Sequence, residues 1–199
     1  MAARTRCPVC GCNNADARRP ASWTYEHCGL TGVVLEGKGV VLTDCDDCGE
    51  QTTTIEDEVQ LADVIGMSLL TGGPGMTGEE LRYLRTLYEM TQEEFAAAIG
   101  RGRRETIADW EARGTERVFK APFDELNLRA VLMAMYSSKV IASEYCRLSP
   151  RHIKEFETAA RTFIGRVGEL VTGCGGRGPL ILRRSAESGD WSSIVHAAV

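Results

Sequence analysis

Met90-Thr-Gln-Glu-Glu-Phe-Ala-Ala-Ala-Ile-Gly100, with Glu105-Thr-Ile-Ala-Asp-Trp-Glu111 close behind it, is the stretch on which the fold turns. Thr91 and Glu94 stand three apart, the spacing at which a hydroxyl and a carboxylate satisfy each other's backbone N–H groups at a helix start. Gly100 stops that helix. A second runs from about residue 104 to 113, where Gly114 can take the left-handed conformation that ends a helix. Phe95, Ala98 and Ile99 are expected to pack on Ile107 and Trp110, and Ala96 is small enough to let the two axes cross closely. Upstream, Thr77 and Glu80 repeat the capping spacing, and Leu81, Leu84, Leu87 and Tyr88 fall at helical intervals. Residues 76–121 therefore read as an all-α domain.

Working towards the N-terminus, residues 55–70 predict a linking helix with Val59, Ala62, Ile65 and Leu69 on one stripe. Thr71-Gly-Gly-Pro-Gly75 breaks it, so 55–75 reads as a linker helix and a Gly/Pro hinge. Residues 1–54 are rich in Cys, Gly, Thr and Val, and residues 29–43 predict two short strands around a Glu36-Gly-Lys-Gly39 turn. Residues 122–199 predict two helices, over 124–145 and 150–172, then a glycine-rich break and a short strand-like piece at 180–184. The whole is expected to be α+β: a small N-terminal β zinc-ribbon domain, an all-α helix-turn-helix domain and a mainly helical C-terminal extension with a flexible tail.

The ribbon rests on Cys7, Cys10, Cys45 and Cys48, a C-x2-C…C-x2-C pattern in CPVCG and CDDCG. Two residues between cysteines let one tight turn supply two adjacent tetrahedral corners, and soft thiolates suit Zn2+. Gly11 and Gly49 allow each loop to curl with its N–H groups toward the sulfurs. One structural zinc ion per chain is expected, with no corner left for water. Two chance thiol pairs or a redox CxxC are the other readings of such spacing. Cys12 sits too close to Cys10 to share a simple knuckle and Cys28 falls in an expected strand. These two are read as free or buried thiols, His27 as a solvated or core histidine, and Cys146 and Cys174 are assigned no role.

Formal net charge is −5, from 23 basic and 28 acidic residues. A chain this acidic is a poor nonspecific ligand for nucleic acid, so any DNA contact needs a local basic patch. Arg101, Arg103 and Arg104, with Arg113, Arg117 and Lys120, form the dense one. No apolar run reaches the ~20 residues of a membrane helix, and the N-terminus has no apolar signal core, so a cytoplasmic location is expected. No paired carboxylates or Ser/His/Asp set stands out, and Gly173-Cys-Gly-Gly-Arg-Gly178 lacks the Lys-Ser/Thr of a phosphate loop. An enzyme is not expected.

The run "MTQEEFAAAIG…ETIADWEARG" resembles the Xre/Cro-type helix-turn-helix pattern at Thr91, Gln92, Phe95, Ala96, Gly100, Thr106, Ile107, Trp110, Glu111 and Gly114. Preceded by a CPxCG…CxxCG ribbon, it also resembles the MqsA-type antitoxins over residues 5–121. That resemblance implies a dimeric repressor with a toxin-binding zinc domain, acting on a double-stranded DNA operator with inverted repeats. The helix from Arg104 would enter the major groove, with Glu105, Thr106, Asp109 and Arg113 among the DNA-binding residues and Gln92 on phosphate; either Asp109 reads a C·G pair, or recognition shifts to Arg101, Arg103 and Arg104 at the helix start. Two features depart from the pattern: the turn at residues 101–104 is one residue longer than usual, and Asp109 stands where an arginine is common. A carboxylate there can accept from cytosine N4. The apolar surplus of Leu128, Val131, Leu132, Met135, Tyr136, Val140 and Ile141 predicts a homodimer through residues 122–199.

Overall fold

A computed structural model describes residues 3–100, 103–142, 150–172 and 179–194. It is a mixed α+β chain in which two four-stranded sheets and six α-helices are described. It divides into two compact units. The first holds Met1–His27, Gly32–Ile65 and Pro179–Val195, and the second holds Cys28–Thr31, Gly66–Gly178 and His196–Val199.

In the first unit, β1 (Ala3–Thr5), β2 (Ala15–Arg18), β5 (Val40–Cys45) and β6 (Gln51–Ile55) form an antiparallel sheet in the order β1-β2-β5-β6. The other sheet runs β3 (Ser22–Thr24), β4 (Val33–Glu36), β7 (Leu180–Arg184) and β8 (Trp191–Ile194), with β4 and β7 parallel. The two strands expected around residues 36–39 are present as β4 and β5, but they do not pair with each other. Each joins a different sheet, and Val33 and Leu35 of β4 are buried beside Leu182 of β7. The strand-like piece expected at 180–184 is present as β7, but it and β8 belong to the first unit and not to a C-terminal extension. Gly39 explains the seat: a Cβ there would lie 2.4 Å from Trp191 Cζ2, so only glycine admits the buried indole. Trp191 Nε1 donates to Glu56 O at 2.7 Å, and Arg184 Nη1 donates to the same carbonyl at 2.8 Å. Cys28 lies in a 3₁₀ turn, Glu26–Cys28, and not in a strand.

α1 (Glu58–Thr71) buries Leu61, Ile65 and Leu69, while Val59 is 79% exposed. The apolar stripe is therefore rotated from the expected one, with Leu61 in place of Val59. In the second unit, α2 (Gly78–Leu87) and α3 (Gln92–Ala98) begin with complete capping boxes at Thr77/Glu80 and Thr91/Glu94. α4 (Arg104–Glu111) packs against both. Leu81, Leu84, Phe95, Ala96 and Ile107 form their buried interior, and Ala98, expected inside, is exposed. The seven-residue α3 turns Phe95 and Ala96 inward together, Ala96 at the crossing where it was expected. The chain after α4 zips back onto the start of α2, with Val118 N donating to Met76 O and Glu79 N to Gly114 O.

α5 (Pro122–Ala142) and α6 (Pro150–Thr172) complete the second unit. Arg129 of α5 is 0% exposed and its charge is matched by Glu125 one turn earlier, with Nη2 to Oε1 at 2.7 Å. The guanidinium also donates to the carbonyls of Leu69, Leu70 and Gly73, and Glu125 accepts from Gly75 N and Met76 N. All five guanidinium hydrogens have acceptors, the condition under which a buried arginine is tolerated. Within the stretch read as a hinge, Gly73, Pro74 and Gly75 are buried, and this pair bonds to Gly73 O and Gly75 N. Leu128, Leu132 and Met133 are buried, and Tyr88 Oη donates to Leu132 O at 2.8 Å. The side chains of Val140 and Ile141 lie outside the described residues.

Candidate metal centre and nucleic-acid interface

Both cysteine knuckles are built alike. Gly11 N donates to Cys7 O and Gly49 N to Cys45 O, and the two glycines carry φ of 75° and 71°, which a side chain would oppose. These turns bring the sulfurs of Cys7, Cys10, Cys45 and Cys48 all within 4.8 Å of one another. Cys7 Sγ lies 3.8 Å from Cys48 Sγ, and Cys10 Sγ 3.7 Å from Cys45 Sγ. A tetrahedron with metal–sulfur bonds of about 2.3 Å has edges of about 3.8 Å, so the four sulfurs can hold a metal ion.

The surroundings favour thiolate at the two inner corners, Cys7 and Cys45, which are 2% and 5% exposed. Backbone N–H groups of Cys10 and Val9 point at Cys7 Sγ, at 3.5 and 3.4 Å, and hold its pKa below the ordinary thiol value against the opposing effect of burial. The N–H of Cys48 does the same for Cys45, bringing it to about 6. Cys48 is pushed up to about 12: the N–H of Glu50 pulls it down, but Cys45, burial, Cys10 and Cys7 together outweigh that pull. Four anionic sulfurs this close repel one another, and a dication relieves the repulsion.

Cys12 belongs to the same cluster, although its spacing does not announce it. Its sulfur is 3.3 Å from Cys45 Sγ, and its pKa is raised: the N–H of Asn14 pulls it down, but the neighbouring Cys10 and Cys45 sulfurs and burial prevail. The signal lay in register, since β2 pairs Ala15 with Cys45 and carries the preceding residues toward the cluster. Cys28 stands apart from it, with its thiol pKa raised by burial. His27 is exposed and faces Trp23, with ring centroids 6.4 Å apart. Cys146 and Cys174 lie outside the described residues.

In the second unit the residues expected at DNA fall into two groups. Arg103, Arg104, Glu105 and Asp109 are exposed, and Thr106 is half-buried, around the buried Ile107. Trp110 closes the inner side against Phe119, edge to face at 5.0 Å. Arg103 is the N-cap of α4 and offers no side-chain cap, so the first-turn N–H groups of this helix are not closed off by it. Gln92 and Arg113 are engaged in the fold: Gln92 Nε2 donates to Glu111 at 2.9 Å, and Arg113 Nη1 to Val118 O at 2.7 Å. Glu111 in turn takes two bonds from Arg85, which also donates to Met90 O. This chain of polar bonds, which no sequence spacing reveals, ties the end of α2 and the start of α3 to the end of α4. Arg101 lies outside the described residues.

No family model matches the chain, and no curated protein or solved structure matches it either. The likeness to Xre/Cro-type domains and MqsA-type antitoxins therefore stands on the motif residues quoted above. No helix among the described residues is long and apolar enough to cross a membrane.

Proposed function

We propose that this chain is a zinc-containing, sequence-specific DNA-binding transcriptional regulator, a repressor of antitoxin type that binds an inverted-repeat operator as a homodimer. The observation that carries the reading is the surface of α4, where Arg103, Arg104, Glu105 and Asp109 are all exposed around a helix pinned from behind by Ile107. A helix so presented can enter a major groove, with its arginine-flanked start on phosphate and its outward carboxylates near base edges. Asp109 is assigned to cytosine N4, the base-edge donor a carboxylate can accept from. Zinc is the metal proposed, because four thiolates give it a complete shell and leave no open position for chemistry, which makes the site structural. The proposed dimer follows from need: one eight-residue helix reads only a few base pairs, and two heads one turn apart multiply specificity.

A second reading, a protein–protein adaptor or toxin-neutralising module that does not bind DNA directly, is favoured by the same Glu105 and Asp109, which repel phosphate. A gel-shift titration with the DNA upstream of the chain's own gene separates the two. The regulator reading expects a discrete complex that survives competitor DNA. No complex even at low salt, where electrostatic binding is strongest, would decide for the adaptor.

A further inference from the structure

Cys12 is the sulfur for which the proposed metal centre has no corner. Its Sγ stands 3.3 Å from Cys45 Sγ, closer than the 3.7 Å between Cys10 and Cys45. Two sulfurs on one tetrahedral ion are held about 3.8 Å apart, so Cys12 is not placed as a fellow ligand. It lies against Cys45 Sγ, with the Cys10 sulfur also beside it. The placement is built in, since Cys7 N donates to Cys12 O at 2.7 Å across the Gly11 turn, and the β2–β5 ladder begins three residues on at Ala15 and Cys45. Cys12 is half-exposed, and the corners beside it, Cys10 and Cys48, are exposed, so a molecule the size of water can reach the cluster. A disulfide bond is about 2.05 Å long, so the two sulfurs need to close by little more than an ångström.

We infer that Cys12 and Cys45 form a hydroperoxide-driven disulfide that expels the bound metal ion. The inference rests on the zinc reading above. In the first step the Cys45 thiolate attacks one peroxide oxygen; the O–O bond breaks, an S–O bond forms and water leaves once the departing oxygen is protonated. In the second, the Cys12 sulfur attacks the Cys45 sulfenic acid; the S–S bond forms, the S–O bond breaks, and a second water leaves with the thiol proton. The two thiols lose two electrons, and the peroxide takes both. Sulfur in a disulfide is a poor ligand, so the site drops from four thiolates to three and its hold on the ion weakens. Two-cysteine chemistry of this kind is how thiols in a reducing compartment serve as sensors.

The test uses the full-length protein as purified, its zinc content measured by atomic emission. Hydrogen peroxide is added, zinc release is followed with a chromogenic chelator, and cross-linked peptides are mapped by mass spectrometry. The wild type is expected to release its zinc and yield a Cys12–Cys45 linked peptide, both reversed by reductant with added zinc. Cys12→Ala and Cys12→Ser are expected to bind zinc as the wild type does and to keep it through the same exposure. Equal release from the wild type and both variants, or linked peptides that join other cysteines, would overturn the inference and leave the zinc reading standing. Untreated protein without zinc would overturn both. Mapping in the wild type decides the matter even if a variant folds poorly.

Discussion

At the scale of single residues, the cysteine knuckles show why some sites are legible in a sequence. Each is a local object: two thiols and a glycine within one turn, so spacing alone places Cys7 with Cys10 and Cys45 with Cys48. Cys12 was not legible, because its neighbour Cys45 reaches it only through strand register. Replacing Cys45 by serine is expected to remove the proposed zinc and unfold the metal-dependent part of the first unit, since structural zinc contributes on the order of 10 kcal/mol in small domains. Atomic emission and circular dichroism check this; an unchanged spectrum with zinc still bound would contradict it. Gly39 makes a second residue-scale case, because its role is space and not backbone freedom. Gly39→Val is expected to cost about 1–3 kcal/mol by driving a side chain into Trp191. Urea unfolding measures it, and an unchanged midpoint would show that the indole can move away.

At the scale of elements, helix beginnings were readable because Thr-x-x-Glu is chemistry within one turn, and both boxes form. Which face turns inward was less readable. In α1 the stripe includes Leu61 and leaves Val59 in solvent, and in α3 Ala98, expected inside, is exposed, because short helices with many apolar residues offer more than one stripe. The cap at Thr91 also carries a pH signature. Glu94 accepts from Thr91 N and Oγ1, the backbone bond first, and its pKa is lowered. A depressed carboxylate stabilises the fold above its unfolded pKa and loses that contribution as pH falls through the folded value. Glu94→Gln should therefore flatten this acid-side loss, visible as converging melting curves of variant and wild type at low pH. Residues 71–75 read as a hinge because Gly and Pro break helices; the sequence offers no sign that Arg129 and Glu125, some fifty residues later, would clamp them. Arg129→Met is expected to cost about 3–5 kcal/mol, since it strands a buried carboxylate, while Arg129→Met with Glu125→Leu should recover much of the loss. Chemical denaturation of the pair of variants decides it; equal loss in both would mean that the backbone bonds matter and the charges do not.

At the scale of the whole molecule, the pairing of residues 180–183 with β4 was beyond sequence reasoning, because parallel pairing over so long a separation leaves no local mark beyond alternating apolar residues. It also changes how the proposed dimer must be tested. Cutting the chain near Lys120 would strip strands from the first unit, and Leu128 and Leu132 are already buried in the chain. The exposed Ile164 of α6 is the better probe: if α6 carries the proposed dimer interface, Ile164→Glu should shift the mass seen by light scattering toward the monomer, and an unchanged mass would place the interface elsewhere. The central claim is sequence-specific DNA binding through α4, and selection from a random double-stranded DNA pool at physiological salt tests it most directly. The account predicts enrichment of an inverted repeat whose half-sites lie about one helical turn apart. It also predicts that Arg103→Ala with Arg104→Ala lowers affinity and makes the log–log salt slope shallower by about 0.9 for each phosphate the variant no longer neutralises. A pool that stays random after repeated rounds, or an enriched site bound equally well by the double variant, would contradict it.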